Sequence, residues 1–348
     1  MTIHSLKDIQ SHRKDEHFFL AEKFHQNQTN DFDEVRFIHQ GLPEIALSEV
    51  NLQPDIFNWQ YPFYINAMTG GSAQTKKLNA ALARIAAATG IAMAVGSESV
   101  AIKYHDLCDT FAIVRQYNPH GFIIGNIGAG NNYQAAQQAI KMINADALQI
   151  HINAAQEIVM PEGDQQFYWC DNIHNIITQA KIPIIIKEVG LGMSKQTIAK
   201  LINLGAQYID ISGRGGTNFI KIENERRSQK EYAFLENWGQ STVESLFESQ
   251  NYQAKTHILA SGGIRNALDI VKCLRLGAHA VGIAGTILHA LLHNGENATI
   301  TMISQWQDEI KHIMALLGAH NLTELRQKDI VISSNLVNYI KQRNLLMP

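Results

Sequence analysis

Cysteine is scarce in this sequence, and so are proline and charged residues. The 348 residues include three cysteines, seven prolines and 18% charged side chains. Cys108, Cys170 and Cys273 lie far apart and form no CxxC pair, which excludes a disulfide framework or a cysteine-based metal cluster and suits a reducing, cytoplasmic compartment. A hydrophobic fraction of 45% argues against a disordered or fibrous chain. We therefore expect a globular protein with a large core.

An excess of charge of one sign is also absent. Lysine and arginine number 29 against 32 acidic residues, a net charge of −3, so neither nucleic acid nor an anionic membrane is an expected partner. Charged residues interrupt the first twenty positions, which argues against a secretory signal. The most apolar segment, residues 280–292, is shorter than the roughly 20 residues that span a bilayer. We predict a soluble protein that binds any anion through local groups.

Eight short apolar runs, each rich in Ile, Val or Ala, are distributed along the chain. They cover residues 63–67, 91–95, 121–126, 147–152, 182–189, 208–211, 257–260 and 280–284. Because the runs are nearly continuous rather than alternating, they are typical of parallel strands covered by helices. Helix-like segments lie between them, and Gly90, Gly205 and Gly277 stand where three of these helices would end. Eight alternations predict an α/β fold, a (β/α)8 TIM barrel.

An open, doubly wound sheet uses the same units. Its usual sign is GxGxxG in the first strand-to-helix turn, where this sequence has AMTGGS at 67–72, so the barrel is favoured. We assign residues 1–62 to an N-terminal extension with a helix over 13–26, residues 63–317 to the barrel and residues 318–348 to a C-terminal tail. The long polar connection over 212–256, after the sixth strand, predicts a loop over the catalytic face.

The carboxyl ends of the predicted strands are polar or glycine-rich, and a barrel builds its active site there. After the seventh and eighth strands, Gly262, Gly263 and Gly285 would let backbone N–H groups approach an anion, and Arg265 could add a charged contact. This pattern indicates a site for a phosphorylated cofactor. The alternative is that these glycines only form tight turns.

Two further strand ends carry candidate chemistry. Lys187 ends an isoleucine run, where it could balance the charge of a flavin, form a Schiff base with a sugar phosphate, or pair with a carboxylate near Glu188. The end of the fourth run carries four polar residues, His151, Asn153, Gln156 and Glu157. Its one carboxylate would suit Mg²⁺ if the substrate is a diphosphate, because Mg²⁺ often binds one carboxylate plus substrate oxygens.

Composition alone interprets the charged cluster RKDEH at 13–17 as a solvated helix face. The histidines outside the strand ends are interpreted as incidental to metal binding, among them His105, His174, His279 and His312.

Seven motifs together resemble the FMN-dependent type 2 isopentenyl-diphosphate isomerases. They are RKDEH at 13–17, AMTGG at 67–71, GNIG at 125–128, HIN with QE at 151–157, KEVGLGMS at 187–194, SGRGGTNFIKIENER at 212–226 and SGGIR at 261–265. The resemblance runs from about residue 13 to 317 in the expected order. SGGIR is shared with many FMN barrels, whereas RKDEH, HIN with QE, and GGTNF are more restrictive.

The resemblance implies an enzyme of isoprenoid biosynthesis that interconverts isopentenyl and dimethylallyl diphosphate on reduced FMN with Mg²⁺. NADPH would be needed only to reduce the flavin, and the protein would be a homo-oligomer, a tetramer or octamer. The residues implied to bind FMN are Ala67, Met68, Thr69, Ser97, Asn126, Lys187, Ser212, Thr217, Gly262, Gly263, Arg265, Ala284 and Gly285.

For the substrate, the resemblance turns the charged N-terminal cluster from a solvated face into a diphosphate clamp. Arg13 and Lys14 would hold the diphosphate with His151 and Asn153, Gln156 would lie at the reacting carbons as the catalytic residue, and Glu157 would hold Mg²⁺. One motif departs from the family pattern GSQR: residues 96–99 read GSES and lack the arginine, which removes one expected diphosphate contact.

Two rival functions remain. An FMN-dependent 2-hydroxy-acid dehydrogenase or oxidase shares the lysine at 187 and SGGIR, but it carries a catalytic histidine after the sixth strand, where this sequence has SGRGGT at 212–217. A non-enzymatic flavin-binding barrel would leave Arg13, Lys14, Gln156 and Glu157 without a role.

Overall fold

The eight predicted strands form one closed parallel barrel. The computed structural model describes residues 6–24 and 30–347. The barrel strands are β2 (Phe63–Ile65), β3 (Ala92–Ala94), β4 (Ile123–Gly128), β5 (Ala147–His151), β6 (Ile184–Lys187), β7 (Tyr208–Asp210), β8 (His257–Ser261) and β9 (Ala280–Ile283). Each pairs with the next in parallel, and β9 returns to β2 with Val281 opposite Phe63. The TIM barrel is confirmed, and closure excludes the open sheet.

Helices surround this barrel. They are α1 (Leu6–Lys23), α2 (Ala73–Thr89), α3 (Ser99–Lys103), α4 (Asp109–Tyr117), α5 (Tyr133–Ile143), α6 (Ala154–Val159), α7 (Cys170–Gln179), α8 (Lys195–Asn203), α9 (Phe219–Glu225), α10 (Thr242–Ser249), α11 (Ala267–Arg275), α12 (Gly285–Leu316), α13 (Leu322–Leu325) and α14 (Ser334–Arg343). The backbone of α12 is interrupted at Gly295, with φ 79° and ψ 176°. Gly90 ends α2 in the left-handed region, φ 70°, as its place in the sequence predicts. No helix of the described residues is long and apolar enough to cross a membrane.

Alternate residues of each strand point into the barrel, and they change character along it. Near the amino ends they are apolar and form a core of their own with Ile56 and Trp59, which close the bottom: Tyr64, Ala92, Ala94, Ile124, Ala147, Ile185, Leu259 and Ala280. Two positions further along the strands the inward residues become polar, as in Asn66 after Tyr64 and Gln149 after Ala147. The barrel is thus a packed core below and a polar site above.

The predicted extension and the predicted tail contact each other outside the barrel. Strand β1 (Val35–Phe37) in the predicted extension pairs antiparallel with β10 (Ile330–Ile332) in the predicted tail. The division at 62 and 317 stays a prediction. The connection after the sixth barrel strand is long, as predicted, and also carries α9 and α10. The helix predicted over 13–26 belongs to α1 up to Lys23, and positions 25 and 26 lie outside the described residues.

Candidate active site

One cavity of about 800 Å³ lies over the carboxyl ends of the barrel strands. This volume is in the range of pockets for cofactors and small molecules. Every residue that the sequence singled out for FMN, substrate or metal lines it: Arg13, Lys14, Ala67, Met68, Thr69, Ser97, Asn126, His151, Asn153, Gln156, Glu157, Lys187, Ser212, Thr217, Gly262, Gly263, Arg265, Ala284 and Gly285. The structure therefore brings the candidate residues together, while the role of each stays a prediction.

The floor of the cavity is our name for the polar layer Asn66, Asn126, Gln149, Lys187 and Asp210, whose members other than Lys187 are linked by hydrogen bonds. Asp210 is fully buried and accepts from the Asn66 amide at 2.9 Å; it also accepts from the Tyr64 and Ser261 hydroxyls at 3.1 and 2.7 Å. Since β2 and β7 are not neighbours in the sheet, the bonds from Tyr64 and Asn66 cross the barrel interior, whereas Ser261 bonds from the neighbouring strand β8. A buried network with its partners satisfied is rigid, and it fixes the floor.

The network continues to the histidine at the end of β5. Gln149 donates to Asn66 at 3.0 Å, Asn126 donates to Gln149 at 3.0 Å, and His151 Nδ1 lies 2.9 Å from Asn126 Oδ1. Burial, and then the positive charges of Lys14, Lys187 and Arg13, lower the pKa of His151 to about 3. His151 is therefore neutral at physiological pH, and it offers one polar nitrogen, Nε2, beyond its bond to Asn126.

Lys187 brings a buried positive charge to the floor. Its ammonium donates to the backbone oxygen of Glu188 at 2.6 Å and to the Ser212 hydroxyl at 3.0 Å, and it lies 3.9 Å from Asp210 Oδ2. The Glu188 carboxylate is occupied instead by the backbone N–H groups of the following turn. The alternative in which Lys187 only forms a salt bridge with a nearby carboxylate therefore has little support, because its one carboxylate contact among the described residues is the 3.9 Å contact with Asp210. The ammonium lines the cavity, as a flavin partner must.

The turn after β8 fits a phosphate group. Gly262 and Gly263 have φ 100° and 76°, and a Cβ on Gly262 would come within 2.0 Å of the Gly213 carbonyl oxygen. Only glycine fits this approach of the two loops, and Gly262 and Gly263 both line the cavity. The N-terminus of α12, at Gly285, lies on the same wall and favours negative charge.

Arg265, predicted to contact the same phosphate, has other partners. Its guanidinium donates to Asp33 at 2.7 and 2.9 Å and to Asp269 at 2.8 Å. These hydrogen bonds raise its pKa further. Its edge lines the cavity, but the contacts it makes tie the turn after β8 to residue 33 of the extension. Direct contact of Arg265 with FMN stays a prediction.

The start of α6 gathers the predicted catalytic and metal residues. The Asn153 amide donates to the carboxylate of Glu157 at 2.8 Å, whose second oxygen accepts from the backbone of residue 164 at 2.9 Å. Gln156 is buried, and its amide donates to Glu223 Oε1 at 2.9 Å. Each Glu157 oxygen keeps lone pairs for a cation, while the orientation of the Gln156 amide is fixed by Glu223.

Helix α1 lies across the mouth of the cavity, and we call it the cover. Arg13 reaches Met160 Sδ and Glu162 Oε1, both at 3.4 Å, and its buried Nε has no hydrogen-bond partner among the described residues. Lys14 donates to the Ser97 carbonyl oxygen at 3.2 Å. Burial, and then the charge of Arg13, lower the pKa of Lys14 to about 7. Two cations held this close without full compensation fit an anionic ligand.

The position of the missing family arginine is occupied by Ser99. Its hydroxyl lies 3.2 Å from the Ser97 hydroxyl and accepts from the Asn131 amide at 3.2 Å, and both Ser99 and Asn131 line the cavity. Glu98 beside it is buried, which raises the pKa of its carboxyl well above the ordinary value. Two neutral donors therefore stand on this wall in place of a guanidinium.

The comparisons with known proteins agree with this geometry. A model of the FMN-dependent dehydrogenase family matches residues 115–332. The isopentenyl-diphosphate delta-isomerase of Latilactobacillus sakei is 58% identical over 97% of this chain and 98% of its own, and that of Lacticaseibacillus paracasei is 51% identical with the same coverage. The enzyme of that name from Staphylococcus aureus is 45% identical over 96% of both chains.

The chain belongs to the isopentenyl-diphosphate delta-isomerase family. The predicted resemblance is confirmed, and the match to the FMN-dependent dehydrogenase model supports FMN as the cofactor. Solved structures of a flavocytochrome b2 variant and of a Pediococcus acidilactici protein titled a putative lactate oxidase superpose with TM-scores of 0.67 and 0.66. They cover 100% and 96% of this chain, and 90% and 96% of their own. At 17% and 16% identity they share the fold alone, so the hydroxy-acid alternative gains nothing from them.

Sequence reasoning missed several residues of this isomerase-family site. Gln149 and Asp210 stand inside apolar runs, and only barrel closure shows that both bond to Asn66. Glu223 is fully buried. Its Oε2 lies 2.7 Å from Arg226 Nη1, and its Oε1 lies 2.9 Å from His17 Nε2. Burial alone would raise the pKa of Glu223, but His17, Gln156 and Arg226 together lower it to about 2. Glu223 lies within the IENER part of a recognised motif, which was the available signal.

Proposed function

We propose that this enzyme interconverts isopentenyl diphosphate and dimethylallyl diphosphate, with FMN on the floor and the diphosphate under the cover. The observation that carries the proposal is the cationic pair Arg13 and Lys14, incompletely neutralised and facing the cavity from α1. A hydroxy acid with one carboxylate has no need of a second anion site. Membership of the family supports the same assignment.

The chain's residues divide the work between the two walls. Reduced FMN, when bound, supplies the group that moves a proton onto one alkene carbon and off another with no net oxidation. Lys187 places its positive charge at the floor, where it would balance negative charge on the flavin. The backbone N–H groups at Gly262 and Gly263 and the start of α12 would hold the FMN phosphate. Ala67, Met68, Thr69, Ser97, Asn126, Ser212 and Thr217 would complete the cofactor wall.

The substrate end uses α1 and α6. Arg13 and Lys14 would bind the diphosphate oxygens, with His151 and Asn153 as neutral partners and Glu157 holding Mg²⁺ against the same oxygens. Gln156 would face the reacting carbons, with Glu223 fixing which way its amide points. No described side chain has to be oxidised in this scheme, because moving the double bond involves no net oxidation.

The cellular setting follows from the same proposal. We infer that NADPH serves only to reduce the flavin, that the enzyme acts in isoprenoid biosynthesis in the cytoplasm, and that it assembles as a tetramer or octamer. The sequence has few cysteines and no CxxC motif, which supports a reducing compartment.

An anaerobic assay tests the function. Full-length protein with FMN, Mg²⁺, NADPH and isopentenyl diphosphate should form dimethylallyl diphosphate, with NADPH consumed only in proportion to enzyme. Product formation that consumes NADPH with every turnover would contradict the acid–base scheme. Oxidation of a 2-hydroxy acid with reduction of FMN, and no isomerisation, would favour the hydroxy-acid alternative.

A further inference from the structure

Three potential metal ligands meet where α1 contacts α12. Glu22 Oε1 lies 2.7 Å from His289 Nδ1 and 2.7 Å from His293 Nε2, and the three ligand atoms all lie within 4.8 Å of one another. The two imidazole centroids are 4.3 Å apart. The interpretation of the histidines as incidental overlooked this pair, which has the spacing HxxxH at 289–293.

The spacing gives the site its geometry. Residues four apart lie on the same face of a helix, and His289 and His293 both precede the interruption of α12 at Gly295. Their nitrogens converge on one carboxylate oxygen from a helix more than 260 residues away in the chain. The cluster therefore joins two elements by side chains alone, as engineered and natural bridging metal sites do.

The donor set selects the kind of ion. Two imidazole nitrogens and one carboxylate oxygen suit Zn²⁺ and its transition-metal neighbours, whereas Mg²⁺ prefers oxygen ligands only. Tetrahedral ligands at zinc bond lengths are roughly 3.3 Å apart, so the two 2.7 Å contacts need to widen by only about half an ångström. Because Glu22 and both histidines are partly exposed, their side chains have room for this adjustment.

We propose that Glu22, His289 and His293 form a binding site for a divalent transition-metal ion, with Zn²⁺ as its representative, that fastens the cover to the barrel. The described residues supply three protein ligands, and a further ligand such as water would complete a tetrahedral site. The site is separate from Glu157, and it does not depend on the proposed function. Glu22 lies on the helix that carries Arg13 and Lys14, and α12 begins at the cavity wall. The ion would thus hold the two cations of α1 in place over the cavity.

Zinc titration of the full-length, FMN-loaded protein tests the site. After chelator treatment, competition with a chromophoric zinc indicator in excess Mg²⁺ should show one tight site per chain. His293→Ala and Glu22→Gln should each weaken that site at least about tenfold, because each removes one of three ligands. Equal zinc affinity in the wild type and in both variants would overturn the proposal.

Two controls separate this site from other zinc binding. His320 and Glu324 form a surface pair with 2.8 Å between Nδ1 and Oε2, also four residues apart, but with no second histidine in the cluster. His320→Ala should therefore leave zinc affinity unchanged. Glu157→Gln should also leave it unchanged; if it removes the tight site instead, zinc binds at Glu157 and the proposal is wrong.

The fastening of α1 has its own measurement. The side chain of Lys23, beside Glu22, is 61% exposed and offers trypsin a cleavage site at the end of α1. Zinc should slow cleavage after Lys23 at least threefold in the wild type and leave the rate unchanged in His293→Ala. Tight zinc binding without this protection would overturn the fastening, and melting temperatures measured without metal would show whether the variants are folded.

Discussion

The floor and the cover of the cavity are held in different ways. The floor residues stand on barrel strands, are buried, and bond to one another across the interior. The cover is attached by side-chain contacts: Arg226 to Glu16 at 3.0 Å, Ser72 to Asp15 at 2.5 Å, the buried Glu223 to His17 at 2.9 Å, and the partly exposed Glu22 cluster. Partly exposed ion pairs contribute about 0–1 kcal/mol each, and α1 takes no part in the strand pairing of the barrel, so we expect it to open locally at a smaller cost in free energy than a barrel strand.

This difference suits a site that keeps one ligand and exchanges another. A cofactor used in every turnover gains from a rigid floor, because the floor needs no reorganisation when charge develops. A diphosphate that must enter and leave gains from cations on an element that can move. We therefore expect substitutions in the floor to change FMN binding and substitutions in the cover to change the KM for the diphosphate.

The largest effect should come from removing the floor's charge. Lys187→Ala should weaken FMN binding at least about 100-fold, because a buried ammonium at the cofactor wall is lost and Asp210 loses its nearest cation. Fluorescence titration of FMN measures this. Lys76→Ala, which removes a surface lysine paired with Asp109 on the barrel's outside, should leave FMN affinity unchanged. Wild-type FMN affinity in Lys187→Ala would remove the lysine from the cofactor site.

The next effect separates the cover from the floor. Arg13→Ala should raise the KM about 10- to 100-fold, equivalent to about 1.4–2.8 kcal/mol, because it removes a charged contact to the diphosphate. FMN affinity, measured in parallel, should not change. Arg84→Ala is the matched control, since that guanidinium pairs with Glu296 outside the cavity. A KM equal to the wild type would remove Arg13 from the proposed diphosphate site.

A smaller effect concerns the proposed Mg²⁺ site at Glu157. Glu157→Gln keeps the shape of the side chain but loses its charge, so activity should fall about tenfold and recover in part at high Mg²⁺. The flavin spectrum should stay as in the wild type, since Glu157 contacts Asn153 and the backbone of residue 164. An unchanged Mg²⁺ dependence would place the cation on the diphosphate and water alone.

The sequence predicted the barrel well because its signals are local. Each strand is a short apolar run, and Gly90, Gly205 and Gly277, each with positive φ, follow helices where predicted. The run at 182–189 overestimates β6, which stops at Lys187 because the Glu188 carboxylate then binds the backbone N–H groups of a turn. That bond depends on side-chain orientation, which the hydrophobic pattern does not contain.

The sequence predicts those site residues that stand at the end of a single strand. It misses those whose contacts form only when strands distant in the chain come together. Gly262 and Lys187 can be predicted because each stands at or just after the end of a predicted strand. Asp210 looks only like the polar end of one run, and closure of the barrel is needed to place it beside Asn66 and Tyr64. The seven-residue helix α9, which carries Glu223, lies in the connection that the sequence predicts as a loop, because a helix this short shows no period. The prediction that the cover binds the substrate came from the family resemblance. Composition alone cannot distinguish an arginine that binds a diphosphate from an arginine on a solvated helix face.

The smallest effect concerns the pKa of Lys14 in the cover. In the free enzyme the pKa of Lys14 is lowered to about 7, so the lysine is charged below that pH and loses its proton, and its attraction for the diphosphate, above it. We expect kcat/KM, which reports ionisations of the free enzyme, to fall a few-fold between about pH 7 and 8.5. Bound diphosphate raises the pKa, so kcat should fall at higher pH than kcat/KM. Lys14→Arg keeps its charge throughout this range and should flatten the fall in kcat/KM. Identical pH profiles for wild type and Lys14→Arg would show that another group titrates and that Lys14 is charged at every working pH.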